Sequence, residues 1–424
     1  MSTSTYATCR QLAADGHHVD VISNASEAEP GICQLLLPQD RQIIEDEYKI
    51  NINLTKSQED HYYVPYSNPF FSKLFGLGLS LTNKHRYDAI YGSYLEPYGV
   101  VAAQLATSTQ LPLILRHAGS DIGRLASHPD LYPTFRWALS AARAVLSTRS
   151  PAVRELLTQL AVPPSKIVHP LASRLPRAFT PQGPPLAVDP YRPFAINWAR
   201  ALGLPTALDD VLARPVPSRP STGIPVLGVY GKVGQVKGSN ALIAALRLLA
   251  NEGYRFHFVA LIGGGPISIR RFVAQLLEAG SELLSRTTIL PFIAQWRIPE
   301  FLRLCDAACY LEHGFPISFH GSRIPREIIA CGCSLICSIE MAEKLPFGSS
   351  FLNGKNAVLI PNPSDIHALK TELRAVLTDR ARTRSIGHFG HLLSRAVESQ
   401  FSPKDGASKI IVETAETFHA RSTV

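Results

Sequence analysis

The sequence predicts two α/β units, each built on a parallel sheet and joined by a proline-rich hinge. Three observations carry that expectation. Apolar β-branched runs alternate with helical periodicity along most of the 424 residues, the pattern of βα units around parallel sheets. The rhythm lapses between 163 and 222, where TPQGPPLAVDPYRPF and ARPVPSRPSTG are crowded with proline, and then resumes. The length also exceeds the roughly 150 residues of one ordinary domain.

In the first half HVDVIS (18–23), YDAIYGS (87–93), LPLILRH (111–117) and AVLST (144–148) read as strands, with helices at 6–15, 98–107 and 151–160. A short helix is expected near 195–202 inside the proline-rich stretch. The second half reads as strand 224–231, helix 239–251, strand 256–265, helix 267–279, strand 287–292, helix 298–305, strand 307–311, helix 323–331, and strands 334–338 and 356–361 before helix 363–377. The chain begins TYATCRQLAADGHHVDVIS, a helix and then a strand. A doubly wound domain ordinarily opens on a central strand and a glycine-rich turn, and that opening is absent from the pattern.

Composition narrows the class. With 46% hydrophobic and 18% charged residues the chain is an ordinary globular protein. Its apolar runs fall short of the roughly 20 residues of a membrane helix, and no charged-then-apolar segment opens it, so a soluble cytoplasmic protein is expected. The net charge of +8 favours contact with anions, although no dense Lys/Arg run points to nucleic acid. Seven cysteines form no CxxC pair, and no zinc spacing appears, so reduced, packed thiols and no metal are expected.

In an α/β protein, ligands bind beyond the carboxyl ends of strands, where helix N-termini present free amides. Four such turns carry suitable residues. GVYGKVGQVKGSNALIAALRLL (228–249) has glycines at 228, 231, 234 and 238, with Lys232 and Lys237 ahead of a helix; the set suits a diphosphate, as would a plain solvated glycine loop. LIGGGP (261–266) is a glycine cluster that suits either a nucleotide or a tight turn. RHAGSDIGR (116–124) offers His117 and Asp121 as polar groups on the acceptor side and Arg116 or Arg124 for a phosphate. FHGSRIPREIIACG (319–332) places His320, Gly321 and Ser322 before a helix whose first turn holds Pro325 and Glu327. A carboxylate there suits a vicinal diol, and equally a simple dipole-complementing role. There is no GxSxG, HExxH or Walker A sequence.

In this order the motifs GKVGQVKG, LIGGGP, LPFIAQWRIPEFLRLCDAACYL, PREIIACGCSLICS and NAVLIPNPSDIHALKTELRAVLTD resemble the donor-binding domain of retaining GT-B glycosyltransferases of family four, also called group one. The first half resembles the same family less specifically, through LAADGHHVDVIS, GSYLEPYG and RHAGSD, and without the family's first strand and glycine loop. The resemblance implies a GT-B fold: two Rossmann-like domains facing across a cleft, with a C-terminal helix region crossing back. It divides the chain into an acceptor-side domain (1–170), a linker (171–222), a nucleotide-sugar domain (223–385) and returning helices (386–424). By the same resemblance Lys237 and Lys232 hold the donor diphosphate beside Gly231 and Gly264, and Glu327, the second glutamate of an EX7E motif, takes the ribose hydroxyls. His117 faces the donor sugar, while Glu96, Arg116 and Asp121 lie on the acceptor side. Phe319 stands where the motif's first glutamate belongs; Glu312, in LEHGFP, is the nearest acid and is displaced by seven positions. That leaves His320 and the amides of Gly321 and Ser322 to serve the sugar.

The implied activity is transfer of a hexosyl-type unit from a nucleotide-diphosphate sugar to a glycan or lipid acceptor, with no metal and no further cofactor expected. A nucleotide-sugar epimerase on the same fold and a non-catalytic sugar-nucleotide-binding protein remain alternatives. The basic surface leaves room for peripheral contact with the inner face of a membrane, although no stretch stands out as a basic amphipathic helix.

Overall fold

A computed structural model of the chain describes residues 3–25, 30–56, 70–217, 223–315, 317 and 321–422. They form two compact units, one of residues 1–28, 41–174 and 401–424, the other of residues 29–40 and 175–400.

The first unit carries two parallel sheets. Strands β1 (Val19–Ser23) and β2 (Ile50–Leu54) pair with each other, Val19 opposite Ile50. Strands β3 (Ile90–Ser93), β4 (Leu113–Arg116), β5 (Ala144–Leu146) and β6 (Ile167–Val168) form a four-stranded sheet in sequence order. The helix expected at 6–15 runs Thr3–Ala14, directly ahead of β1. The Tyr87 hydroxyl donates to Asp20 Oδ2 at 2.6 Å, linking the approach to β3 with β1 by side chains. β4 and β5 are buried, and Ile114, Ala144 and Leu146 share a cluster with Ala407 and Ile411 of the helix Gly406–Ser422. The C-terminal helix is thus part of this unit's core. Its approach is close: a Cβ on Gly406 would lie 2.6 Å from the Leu171 nitrogen.

The second unit is a six-stranded parallel sheet in the order β12-β11-β10-β7-β8-β9. Its strands are β7 (Val226–Lys232), β8 (His257–Gly263), β9 (Thr287–Pro291), β10 (Ala307–Tyr310), β11 (Ser334–Ser338) and β12 (Val358–Ile360). β8, β9, β10 and β11 are buried along their whole length, which explains their unbroken apolar runs: a parallel strand covered on both faces has no polar side to alternate. The proline-rich stretch is fastened to this unit. Leu212 bridges to Ile289 beside β9, Leu186 N–H donates to the Glu300 carbonyl at 3.0 Å, and the Arg303 guanidinium donates to the carbonyls of Ala178, Thr180 and Pro184. The helix expected near 195–202 spans Arg192–Ala201. The helix Arg380–Glu398 packs against β11 and the helix Ile324–Ala330, and also belongs to this unit.

Periodicity did not announce residues 29–40 as part of the second unit. Trp198 Nε1 donates to the Pro30 carbonyl at 2.8 Å, and Leu35 N–H to the Phe292 carbonyl at 2.6 Å. Asp40, fully buried, accepts from Arg297 Nε at 2.9 Å and Trp296 Nε1 at 3.2 Å.

Candidate functional site

The strand order of the second unit creates one topological switch point. From β7 the chain moves outward to β8 and β9, then returns to β10 on the other side of β7 and moves outward to β11 and β12. Loops leaving β7 and β10 therefore diverge, and such a divergence at carboxyl ends is where open parallel sheets take ligands.

Those two loops are stitched together. Gly238 sits at φ 71°, and a Cβ there would lie 2.5 Å from the Leu311 Cβ, so only glycine permits this approach. His313 N–H donates to the Val236 carbonyl at 3.0 Å. The result places Lys237 Nζ as a donor to Glu312 Oε2, with the Tyr310 hydroxyl donating to the same oxygen at 3.3 Å. Ser338 Oγ, at the end of β11, donates to the Glu312 carbonyl, and Lys237 Nζ stands 4.4 Å from the centre of the Phe315 ring. The Glu312 side chain is fully buried, whereas Lys237 keeps 17% of its side-chain surface exposed. Burying such a pair costs desolvation that its attraction barely offsets, so its specific effect is to fix where the ammonium stands.

Glu327 lies on the helix Ile324–Ala330, with Pro325 in the first turn and the Ser322 hydroxyl accepting from Ile324 N–H at 3.2 Å. A Cβ on Gly231 would lie 3.2 Å from Ile324 Cδ1, so the carboxyl end of β7 meets the start of this helix. Glu327 is buried, its Oε1 has no hydrogen-bond partner, and burial pushes its carboxyl up to about 8. A buried acceptor left unpaired costs about 1–3 kcal/mol, which makes this oxygen a point that a ligand donor would relieve. Gly321 is exposed, Lys232 is exposed at the end of β7, and His320, like Phe319, lies outside the described residues.

Gly264 is placed differently from the expectation of an open phosphate-binding amide. Its N–H donates to the Gly31 carbonyl at 2.7 Å, and a Cβ on Gly31 would lie 2.3 Å from the Gly264 oxygen. The segment 29–40 therefore occupies that amide through a backbone approach only glycine permits. Sequence reasoning had no signal for this, because a lone glycine carries no periodicity.

In the first unit the predicted residues gather at the carboxyl ends of β3 and β4. His117 is buried; Gly119 N–H donates to its Nδ1 at 3.3 Å, so Nε2 carries the proton toward Ser147 Oγ at 2.9 Å. Burial, with help from the Arg116 charge, pulls its pKa down to about 4, leaving the imidazole neutral. Asp121 is fully buried and accepts from the amides of Leu95, Ala118 and Ile122 at 2.9–3.0 Å. Burial pushes its carboxyl up and those amides pull part of the way back. Through Leu95, Asp121 steadies the turn in which Tyr94 adopts φ 76°, a left-handed conformation rare for tyrosine. Glu96, on that turn, is half-buried and desolvation raises its pKa; Arg116 closes β4.

Among the described residues no cluster of His, Cys, Asp and Glu has the arrangement of a metal site, and no helix is long and apolar enough to cross a membrane. Cys331, Cys333 and Cys337 are buried, with the Cys331 and Cys337 thiols pushed up to about 12 by desolvation.

Residues 1–169 match the family model described as Glycosyltransferase Family 4. No curated protein sequence matches the chain. Among solved structures, HepE from Anabaena in complex with UDP-glucose superposes with a TM-score of 0.60 at 15% identity, covering 99% of this chain and 96% of that one. WaaG, a glycosyltransferase involved in lipopolysaccharide biosynthesis, gives 0.58 at 13% identity over 96% of this chain and 95% of its own. Sucrose-phosphate synthase from Thermosynechococcus elongatus gives 0.56 at 15% identity over 98% and 92%. Sequence matching over the first 169 residues and superposition over nearly the whole chain agree on one architecture, the α/β GT-B fold of these glycosyltransferases.

Proposed function

We propose that the protein transfers a glycosyl unit, of hexosyl type, from a nucleoside-diphosphate sugar to a glycan or lipid hydroxyl with retention of configuration. The observation that carries this reading is the fixed ammonium of Lys237, held by buried Glu312 at the switch point between β7 and β10. Glu327, with its unpaired oxygen, lies on the neighbouring helix that meets the carboxyl end of β7. A cation at a helix approach suits the diphosphate, and a carboxylate suits the ribose diol. The HepE structures, which contain UDP-glucose and UDP, make a uridine nucleotide the first donor class to test.

In this mechanism the bond from the anomeric carbon to the diphosphate oxygen breaks while the acceptor hydroxyl attacks the same face. The hydroxyl proton passes to the departing phosphate. Lys237 and Lys232 offset the negative charge that develops on the leaving group, an electrostatic role that needs no protein nucleophile. Glu312 sets the position of Lys237. Neutral His117, its two ring nitrogens engaged by the Gly119 amide and the Ser147 hydroxyl, brings no charge to the site, and Glu96 and Arg116 line the acceptor side. We also read the separation of β1–β2 from the β3–β6 sheet as the place of the strand that the family resemblance calls for.

The test is turnover of a UDP-sugar panel with glycan and lipid acceptors, following UDP release and product anomeric configuration by NMR. Retained configuration, with Lys237→Ala at least a hundredfold slower, is the expected result. Free nucleotide isomers formed without acceptor, or unchanged turnover in the variant, would overturn the reading.

A further inference from the structure

The helix Arg380–Glu398 is held to the second unit by an inner face of Thr383, Ile386, Gly387, Gly390, Ser394 and Val397. Its two inner glycines bring it close to the body: a Cβ would lie 2.4 Å from the Gly332 oxygen at Gly387 and 3.1 Å from the Asn356 oxygen at Gly390. The helix has little freedom to roll, so its outer face is presented in a fixed orientation.

That outer face is unusual in what it shows. Phe389 and Leu392 are 40% and 43% exposed, among the few large apolar side chains so displayed. At 3.6 residues per turn, Arg384, His388 and Arg395 form one edge of an exposed arc of about 140° and Leu392, Ala396 and Phe389 the other. Other charges on the helix are engaged. Arg380 donates to the Gly223 carbonyl, Arg382 faces Glu372 at 4.0 Å, and Glu398, the helix's only acid, pairs with Arg326 on the inner side. Among the described residues Arg384 and Arg395 have no such partner, and no carboxylate of this helix lies on the outer arc. A cationic row beside an apolar row on a flat, immobile helix matches a shallow anionic interface better than a groove-seeking peptide.

We propose that this face docks the protein onto an anionic lipid surface, with Phe389 and Leu392 entering the headgroup layer and Arg384 and Arg395, about 16 Å apart along the axis, meeting lipid phosphates. The docking stands apart from donor binding, so failure of either reading leaves the other in place.

Co-sedimentation of the full chain with vesicles of phosphatidylcholine alone, and of phosphatidylcholine with phosphatidylglycerol at 3:1, tests the proposal. Binding is expected only to the anionic vesicles and is expected to weaken steeply at high salt. Arg384→Ala/Arg395→Ala should lower the partition coefficient by about fivefold per arginine. Phe389→Ser/Leu392→Ser should lower it about tenfold, with both variants keeping the parent's melting temperature and UDP affinity. No binding to anionic vesicles, or unchanged binding in either folded double variant, would overturn it.

Discussion

Glu327→Gln isolates the cost of one buried carboxyl. Gln has the same shape and cannot ionise, so the variant removes the titration and little else. In the unfolded chain Glu327 ionises near 4.5, whereas in the folded protein burial holds it protonated up to about 8. The folded-state pKa is raised, so the associated stability is fully present below pH 4.5 and is lost as pH rises toward 8. Each unit of separation is worth 1.36 kcal/mol, so between pH 5 and pH 8 the wild type should lose about 3 kcal/mol that the variant keeps. Denaturant midpoints at pH 5, 6.5 and 8, with unfolding slopes checked for constancy, measure the difference directly. Parallel stability curves for the two proteins would refute the assignment of a desolvated, neutral Glu327. A second readout connects the residue to its proposed ligand. If the carboxylate accepts from a ribose diol, UDP binding at pH 7 must expel the Glu327 proton, and calorimetry in buffers of different ionisation enthalpy should detect that release in the wild type alone.

Two further expectations follow from the same geometry. Lys237→Met strands the Glu312 carboxylate in a dry site and should cost about 3–5 kcal/mol of stability, much of which Lys237→Met/Glu312→Leu should restore. If Lys237 serves the diphosphate, the double variant refolds to near parental stability yet still fails to bind UDP; recovered binding would show that the lysine is only structural. His117, its pKa pulled down to about 4, is neutral when folded and titrates near 6.5 when unfolded. Its contribution is present above pH 6.5 and is lost as pH falls to about 4, up to roughly 3 kcal/mol, so His117→Gln should flatten the acid limb of the stability curve. Nitrogen NMR at pH 6 should show a neutral ring protonated on Nε2, and an imidazolium signal there would contradict the hydrogen-bond chain to Ser147.

The amino-acid pattern alone carried the alternation of strands and helices, because a parallel strand buried on both faces must be an apolar run and a covering helix must repeat with its turn. The strands Ser334–Ser338 and helix Ser239–Asn251 fall where periodicity put them. β2 escaped notice although ININL alternates apolar and polar residues strictly, because the run is only five residues long and partly exposed, and the helix Phe70–Lys84 because its glycines blur its stripe. The glycine-and-lysine turn of residues 231–238 and the Glu327 helix were also legible, since special backbone conformations and helix starts leave local marks.

What surrounds those marks was decided by tertiary structure. Glu312 is seven positions from where linear spacing looks for an acid, yet the pairing of β10 with β7 and the contact at Gly238 deliver it to Lys237. The Gly264 amide is open by sequence and closed in space, because residues 29–40 reach the second unit and place the Gly31 carbonyl on it. Asp121 reads as a free acid and folds into a bed of backbone amides. Local sequence specifies backbone conformation and which side a residue buries; which distant group it meets depends on strand order and close packing, and those exist only once the chain has folded.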